Sequence, residues 1–510
     1  MSTAKRVIKN TGFLYAKMGI TMFISLYTTR LILNSLGTSD FGIFNIVGGA
    51  IAMLGFLNAA MAGATQRFMS YSEGEGDKEK QKKIFNISVI LHFGISIVVG
   101  VALLIAGWFF FHGILNIAPD RIFAAKVVYG SLIVSTIFTV MTVPYDAVLN
   151  AHENMLYYSI VGIVESVLKL AVALAVVHYS SGDKLILYGI LMACIPFIIM
   201  SIMRIYCHRK YIECVIAPKT YWDKPLMKEM TGFAGWSLLG SSSGVCYGYG
   251  TNIVLNNFFG TILNAANGVC GQLNGQLLAF SNNMLKAVNP IIVKAEGNGN
   301  RAYMFRATFG ACKLSVLIYS LFAIPFLVES SFLLKFWLKN APPFADIFLQ
   351  LMIIQVLIEQ ISLPLSTSIS AIGKIKQFNI VNSALLYFSI IVLFFLYKVG
   401  LPPETLRILA IVVALLQTVY KVAFCSKYCQ MPLLSYLTDV FLRCALVIAF
   451  TLLLVILTQQ SMAQGLNRLL IVVGLSISTF IVLFYLIALR KEEKKIIQNM
   501  IKQRLNSNKF

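Results

Sequence analysis

Charge is scarce in this chain of 510 residues: 12% of positions are Asp, Glu, Lys or Arg, against about 25% in ordinary soluble domains. Acidic residues are the scarcer kind, 21 against 42 basic ones. That shortage sets aside a soluble globular enzyme, a disordered chain and a coiled coil. Ten-residue runs of alternating hydrophobicity are also lacking, which excludes an outer-membrane barrel. The five histidines (His92, His112, His152, His178, His208) are scattered. There is no Walker motif, HExxH or nucleophile elbow, so neither catalysis nor a cofactor is expected. The nine cysteines are odd in number and fall in apolar segments or basic loops, so no disulfide framework is implied. Cys425 and Cys429 sit four apart on one helical face, but no neighbouring histidine completes a metal set.

What the chain does have is apolar length. Hydrophobic side chains make up 58% of it and the mean hydropathy is +0.78. A bilayer-spanning helix needs about 20 such residues, and the sequence divides into fourteen hydrophobic segments, centred from Phe23 to Leu475. The net charge of +21 invites a nucleic-acid reading, which the placement of Lys and Arg answers. The N-terminus, the loops after even-numbered segments and the tail carry 29 basic residues; the opposite side carries eight, and five lie within segments. The surplus is topological: both termini are expected in the cytoplasm, and no nucleic-acid partner is implied. The first apolar run, residues 11–33, is too long for a signal-peptide core and is expected to remain as an anchor.

An internal repeat stands above composition. Thr11, Gly12 and Phe13 recur as Thr231, Gly232 and Phe233, while Gly37, Gly48, Glu73, Gly74 and Gly76 recur as Gly260, Gly271, Glu296, Gly297 and Gly299. Six spans separate the copies, an even number, so both halves insert in the same orientation. The expected fold is therefore an all-α polytopic membrane protein of about fourteen transmembrane helices. It comprises an N-lobe (residues 1–210), a C-lobe (211–430) related to it by a parallel repeat, two C-terminal helices (431–489) and a basic cytoplasmic tail (490–510). Outward loops are short, the longest being residues 331–346; residues 74–83 and 204–228 are basic cytoplasmic linkers. The tail reads as a short amphipathic or frayed helix on anionic headgroups.

Polar side chains inside spans are costly, so those that occur mark water or internal pairing. The seventh segment offers Ser241, Ser242, Ser243, Tyr247, Tyr249 and Asn252. The eighth places Asn264, Asn267, Gly271, Asn274 and Gly275 along one helical stripe, expected to line a cavity. Interhelical hydrogen bonding is the bland alternative. Among intramembrane charges, Lys17 and Arg30 lie toward the two ends of the first segment and can snorkel. Glu165 and Lys169 lie deeper, in an i, i+4 order that permits an ion pair. Lys313 and Glu359 are similarly deep. Basic residues outnumber carboxylates at depth, so a cavity built from them would attract an anion. Glu359 has no basic residue within one turn of its own helix and is the first candidate for coupling to a proton or sodium ion, with Glu165 second.

The opening hairpin, Arg30 followed by LNSLGTSDFGIFNIV and then RFMSYSEGEGDKEKQKKIFN after the second segment, resembles the polysaccharide-transporter branch of the multidrug/oligosaccharidyl-lipid/polysaccharide (MOP) superfamily, the Wzx-like flippases. The resemblance implies two lobes rocking around a central cavity lined by helices 1, 2, 7 and 8 in the cytoplasmic (inner) membrane. The implied cargo is a polyprenyl-pyrophosphate-linked oligosaccharide, carried to the outer leaflet for surface polysaccharide (O-antigen or capsule) synthesis, with a membrane-lipid partner and a proton or sodium counter-ion. On this reading Arg30 and Lys17 attract the pyrophosphate, with Asn252, Asn264, Asn267, Asn274, Lys169 and Lys313 as further substrate-binding candidates. Two other readings compete. A cation-coupled multidrug exporter of the same fold uses embedded carboxylates, where helix 1 here holds only basic charges. A membrane-embedded polysaccharide polymerase or ligase carries a long outward loop, which this chain lacks.

Overall fold

The computed structural model describes residues 3–52, 55–114, 117–338, 342–490 and 493–494, and every regular element among them is helical. In chain order these are α1 (Thr3–Ala52), α2 (Gly55–Glu75), α3 (Lys78–Phe109), α4 (Ile122–Ala151), α5 (Met155–His178), α6 (Lys184–Lys210), α7 (Lys224–Gly297) and α8 (Arg301–Val328). There follow α9 (Ser330–Leu338), α10 (Ala345–Gln360), α11 (Leu363–Ile372), α12 (Ile375–Lys398), α13 (Thr405–Cys429), α14 (Leu433–Tyr436), α15 (Arg443–Ser461) and α16 (Leu466–Leu483). Helices satisfy their own backbone groups, which hydrocarbon requires.

Among the described residues ten helical stretches are long and apolar enough to cross a bilayer, which makes this a multi-pass membrane protein. Their outer faces carry exposed apolar side chains such as Val98 and Leu104 on α3 and Phe388 on α12. The first, second, seventh and eighth segments of the sequence fall instead on α1, α2 and α7. Lys339 and most of the tail lie outside the described residues, so the expected tail helix is represented by Arg490, Glu493 and Lys494 alone.

Two helices change direction at a glycine. Gly37 within α1 has φ 78° and ψ 171°, and Gly260 within α7 has φ 79° and ψ −173°. A side chain with a Cβ rarely tolerates that φ, so glycine makes each kink possible. Elsewhere the starts are set by side-chain caps: Asp77, Asn154, Asp183, Asp223 and Asn300 each accept from a backbone N–H in the first turn that follows. Pro364, the second residue of α11, has no N–H to give to Gln360, and the span is interrupted there, between α10 and α11.

The chain forms two compact units. One comprises Val7–Ser242 with Val293–Gly299, the other Met1–Arg6, Ser243–Ile292 and Asn300–Phe510. The first is packed around Val47 of α1, Leu103 of α3, Val128 of α4 and Leu185 of α6. The second is packed around Leu255 and Ala266 of α7, Tyr319 of α8, Phe348 of α10 and Leu393 of α12. Truncating a buried aromatic such as Phe348 to Ala would cost about 3–5 kcal/mol.

Within the first unit the ends of α2 and α7 meet backbone to backbone. A Cβ on Gly74 would collide with the Lys294 carbonyl, and one on Gly297 with the Tyr71 carbonyl. Only glycine allows this approach. Arg67 of α2 lies over the rings of Phe68, Tyr71 and Phe233 nearby.

Candidate functional site

The unit built on α1 to α6 encloses a polar cavity of about 150 Å³. Lys17 of α1, Thr142 and Asp146 of α4, and Tyr158 and Glu165 of α5 contribute its polar wall. The Lys17 ammonium sits 4.4 Å from the centre of the Tyr158 ring, and its stem fills the space a side chain at Gly162 would take. A cation over an aromatic face is stabilised by the ring quadrupole. Lys17 therefore points into this unit's own cavity, beside two carboxylates. Glu165 and Lys169 form the expected i, i+4 ion pair at 2.6 Å, both side chains about two-fifths exposed (41% and 43%). Depth along the helix axis does not fix which face is covered, and other helices of the protein leave this face uncovered. Arg30 is exposed and has no hydrogen bond or ion pair among the described residues.

The other unit gathers a second polar cluster. Asn267 Nδ2 donates to Asn252 Oδ1 at 2.7 Å, and Arg407, near the start of α13, donates to Asn267 Oδ1. The Arg407 Nε is buried without an acceptor among the described residues, and so is the Oδ1 of Asn264 without a donor. An unmatched buried donor on a cation costs more than one on a neutral group. Tyr247 and Glu359 lie within electrostatic reach of Arg407.

The stripe on the second half of α7 divides. Asn264, Asn267 and Asn252 belong to the Arg407 cluster, whereas Asn274 is buried and accepts from Tyr319 at 2.6 Å, a packing role. Gly271 and Gly275 are exposed, as are Gln272 and Gln276. Lys313 is also removed from the cluster: its ammonium is held by Glu493 at 2.7 Å, which docks the start of the tail onto α8.

Glu359 accepts from Gln355 at 2.9 Å at the end of α10, where the helix is interrupted. Its own helix presents no basic residue within one turn, but Lys421 and Arg407 of α13 both act on it. Spacing along one helix cannot reveal a cation presented by the next. Arg407 itself was missed because, three residues after the α13 N-cap Glu404, it counted as part of an outward loop. Its signal was a basic residue one turn into an apolar run. Asp146 was missed for a similar reason, since it follows Pro144 and Tyr145 in what reads as a helix end.

No family model matches the chain and no curated protein matches it. Solved structures do. An outward-facing multidrug-resistance MATE transporter of the MOP superfamily superposes with a TM-score of 0.70 at 12% identity, over 86% of this chain and 97% of that one. A Vibrio cholerae MATE transporter in its bent form gives 0.66 at 18% identity, over 86% and 98%. A Pyrococcus furiosus MOP transporter, described as having a binding pocket of reversed polarity that suggests a different function, gives 0.65 at 14%, over 86% and 97%. At these identities the likeness establishes the fold: this chain is folded like the MATE transporters of the MOP superfamily.

Proposed function

We propose that the protein is an alternating-access flippase that moves a polyprenyl-pyrophosphate-linked oligosaccharide from the cytoplasmic to the outer leaflet of the cytoplasmic membrane. The observation that carries this reading is Arg407: a guanidinium inside an apolar bundle that donates to Asn267, itself held by Asn252, with one N–H left without an acceptor among the described residues. Such a donor suits a doubly charged pyrophosphate, which would complete the hydrogen bonding that the protein leaves open. Arg30, exposed on α1, and Lys17, in the cavity of the same unit, are that unit's own candidates for attracting a pyrophosphate. Glu359, facing Lys421 and Arg407, is the group through which a proton or sodium ion is exchanged.

The proposal retains fourteen spans, with cytoplasmic termini and two like-oriented lobes. It is supported by the matching dihedral angles of Gly37 and Gly260 and by the reciprocal packing of Gly74 and Gly297, both pairs 223 positions apart as in the sequence repeat. Multidrug export is the second reading, favoured by the description of one structural neighbour as a multidrug-resistance transporter.

Reconstituted vesicles separate the two. Lipid-linked oligosaccharide should cross in the presence of the protein, and Arg407→Ala should slow it by about tenfold or more, the loss expected for one charge-assisted hydrogen bond. Export of cationic dyes with no movement of the oligosaccharide would overturn the flippase reading.

A further inference from the structure

At the basic end of the first unit, outside the polar clusters above, a closed ring of contacts runs through the corner between α4 and α5. His152 in that corner has its Nδ1 3.4 Å from Glu73 Oε1 of α2, while its Nε2 is hydrogen-bonded to Glu213, in the segment after α6. Next to Glu73, Gly74 is seated on the backbone of Lys294. Lys294 in turn reaches back 3.0 Å to Glu153, the residue after His152. Three contacts thus join α2, the end of α7 and the corner, and a fourth ties the corner to the segment after α6. Asn10 of α1 is attached to the same corner by donating to the Glu153 carbonyl at 3.0 Å.

Each group facing His152 is accounted for. Glu73 approaches from α2, with Lys78 of α3 holding its other oxygen at 2.8 Å and Gln81 donating to that oxygen at 2.8 Å. Glu213 approaches from beyond α6, and Tyr211 from the same segment stacks on the imidazole at 4.2 Å and 12°. Glu153 and Lys294 form the neighbouring ion pair. Glu213 is hydrogen-bonded at Nε2, whereas Glu73 stands 3.4 Å from Nδ1 as an ion-pair contact, which suits an imidazolium better than a neutral ring that turns a lone pair toward Glu73. Burial alone would push both glutamates up, but for Glu73 the Lys78 hydrogen bond and the His152 charge prevail, and for Glu213 the His152 hydrogen bond does. Both are held below the usual glutamate range.

The same three side chains converge closely enough for a divalent ion. Lys78 on Glu73 and the split of the two carboxylates between opposite ring nitrogens oppose one, so the species that fits is a proton.

We propose that His152 is a proton-controlled clamp that fastens the end of α7 to α2 and the α4–α5 corner. When the imidazolium gives its proton to water, the ring keeps one N–H and can donate to one carboxylate only; the other then faces a lone pair. Glu73 is released, Gly74 loses its brace, and residues 293–299 separate from α2. The clamp is closed while the ring carries its second proton and open once that proton is lost. It rests on the transport reading for its physiological use, but not for its test.

Spin labels at Glu79→Cys and Asn298→Cys report this separation in the full chain. Cys194→Ser and Cys246→Ser remove the two exposed native thiols, the other seven being buried. Between about pH 5.5 and about pH 8.5 the short-distance population should be lost. His152→Gln should lack it at both values, and His152→Lys, with a permanent charge, should keep it at both. Should His152→Gln fold poorly, Glu73→Gln should likewise abolish the short distance. An unchanged distribution in the unsubstituted protein, a shift that survives His152→Gln, or closure that follows added zinc or magnesium instead of pH would overturn the proposal. The distances need no substrate, so a failed transport assay bears on the flippase reading alone.

Discussion

The two polar clusters differ in how their charges are compensated. In the α1 to α6 unit, Lys17 and Lys169 stand beside Asp146 and Glu165, so each cation has a carboxylate close by and the pair on α5 is open to its surroundings. In the other unit Arg407 is hydrogen-bonded to the neutral amide of Asn267, has the Glu359 carboxylate only at longer range, and retains an unmatched N–H, so it is the less compensated of the two. A compensated cluster costs little to maintain and attracts no strong ligand; an uncompensated one is expensive unless something completes it. The comparison therefore points to the second unit for anion binding, and the first for positioning.

Four measurements break or sharpen that contrast. The largest effect should come from Arg407→Ala, about tenfold or more in transport, with Arg407→Lys intermediate because an ammonium lacks the planar fork. Lys17→Ala and Arg30→Ala should each cost less than about threefold, as expected for charges already compensated or exposed. Equal losses at Lys17 and Arg407 in vesicle assays would erase the distinction between the clusters.

Next in size is Glu359→Gln. It should leave the helices folded, by circular dichroism, and remove the dependence of transport on a pH or sodium gradient. Retained gradient dependence would take Glu359 out of the mechanism. Acid sensitivity follows in size. Because Glu73 and Glu213 are held below about 4.5, their contribution to stability is complete above that value and is lost as the pH falls through the lowered folded-state range. Thermal unfolding should show a loss between about pH 5 and about pH 3 that Glu213→Gln reduces. The smallest effect belongs to the Glu165–Lys169 pair: a double-mutant cycle should give a coupling below about 1 kcal/mol, since the pair is two-fifths exposed. A coupling of several kcal/mol would mean that the pair is covered in the membrane.

Much of the architecture was legible because it follows from local rules. Apolar runs of spanning length marked the ten candidate helices directly, and the glycines matched 223 positions apart include the two that kink α1 and α7. The amide stripe on α7 was also legible as a stripe, but not the division of its members between Arg407 and Tyr319. Lys313 looked like a deep free cation and is instead neutralised by Glu493, 180 positions away. Asp146 and Lys421 gave no signal along the chain that set them apart from ordinary helix-end charges.

The sequence by itself determined that this is a helical membrane protein and where the chain must turn. Hydrocarbon solvent and backbone stereochemistry act within a few residues of any position, so these features are written in runs, caps and glycines. Tertiary structure decided which charges meet. Arg407 on Asn267, Lys421 beside Glu359, and His152 between Glu73 and Glu213 each join helices distant in sequence. Electrostatic compensation depends on separation in space, which no periodicity along a single helix encodes.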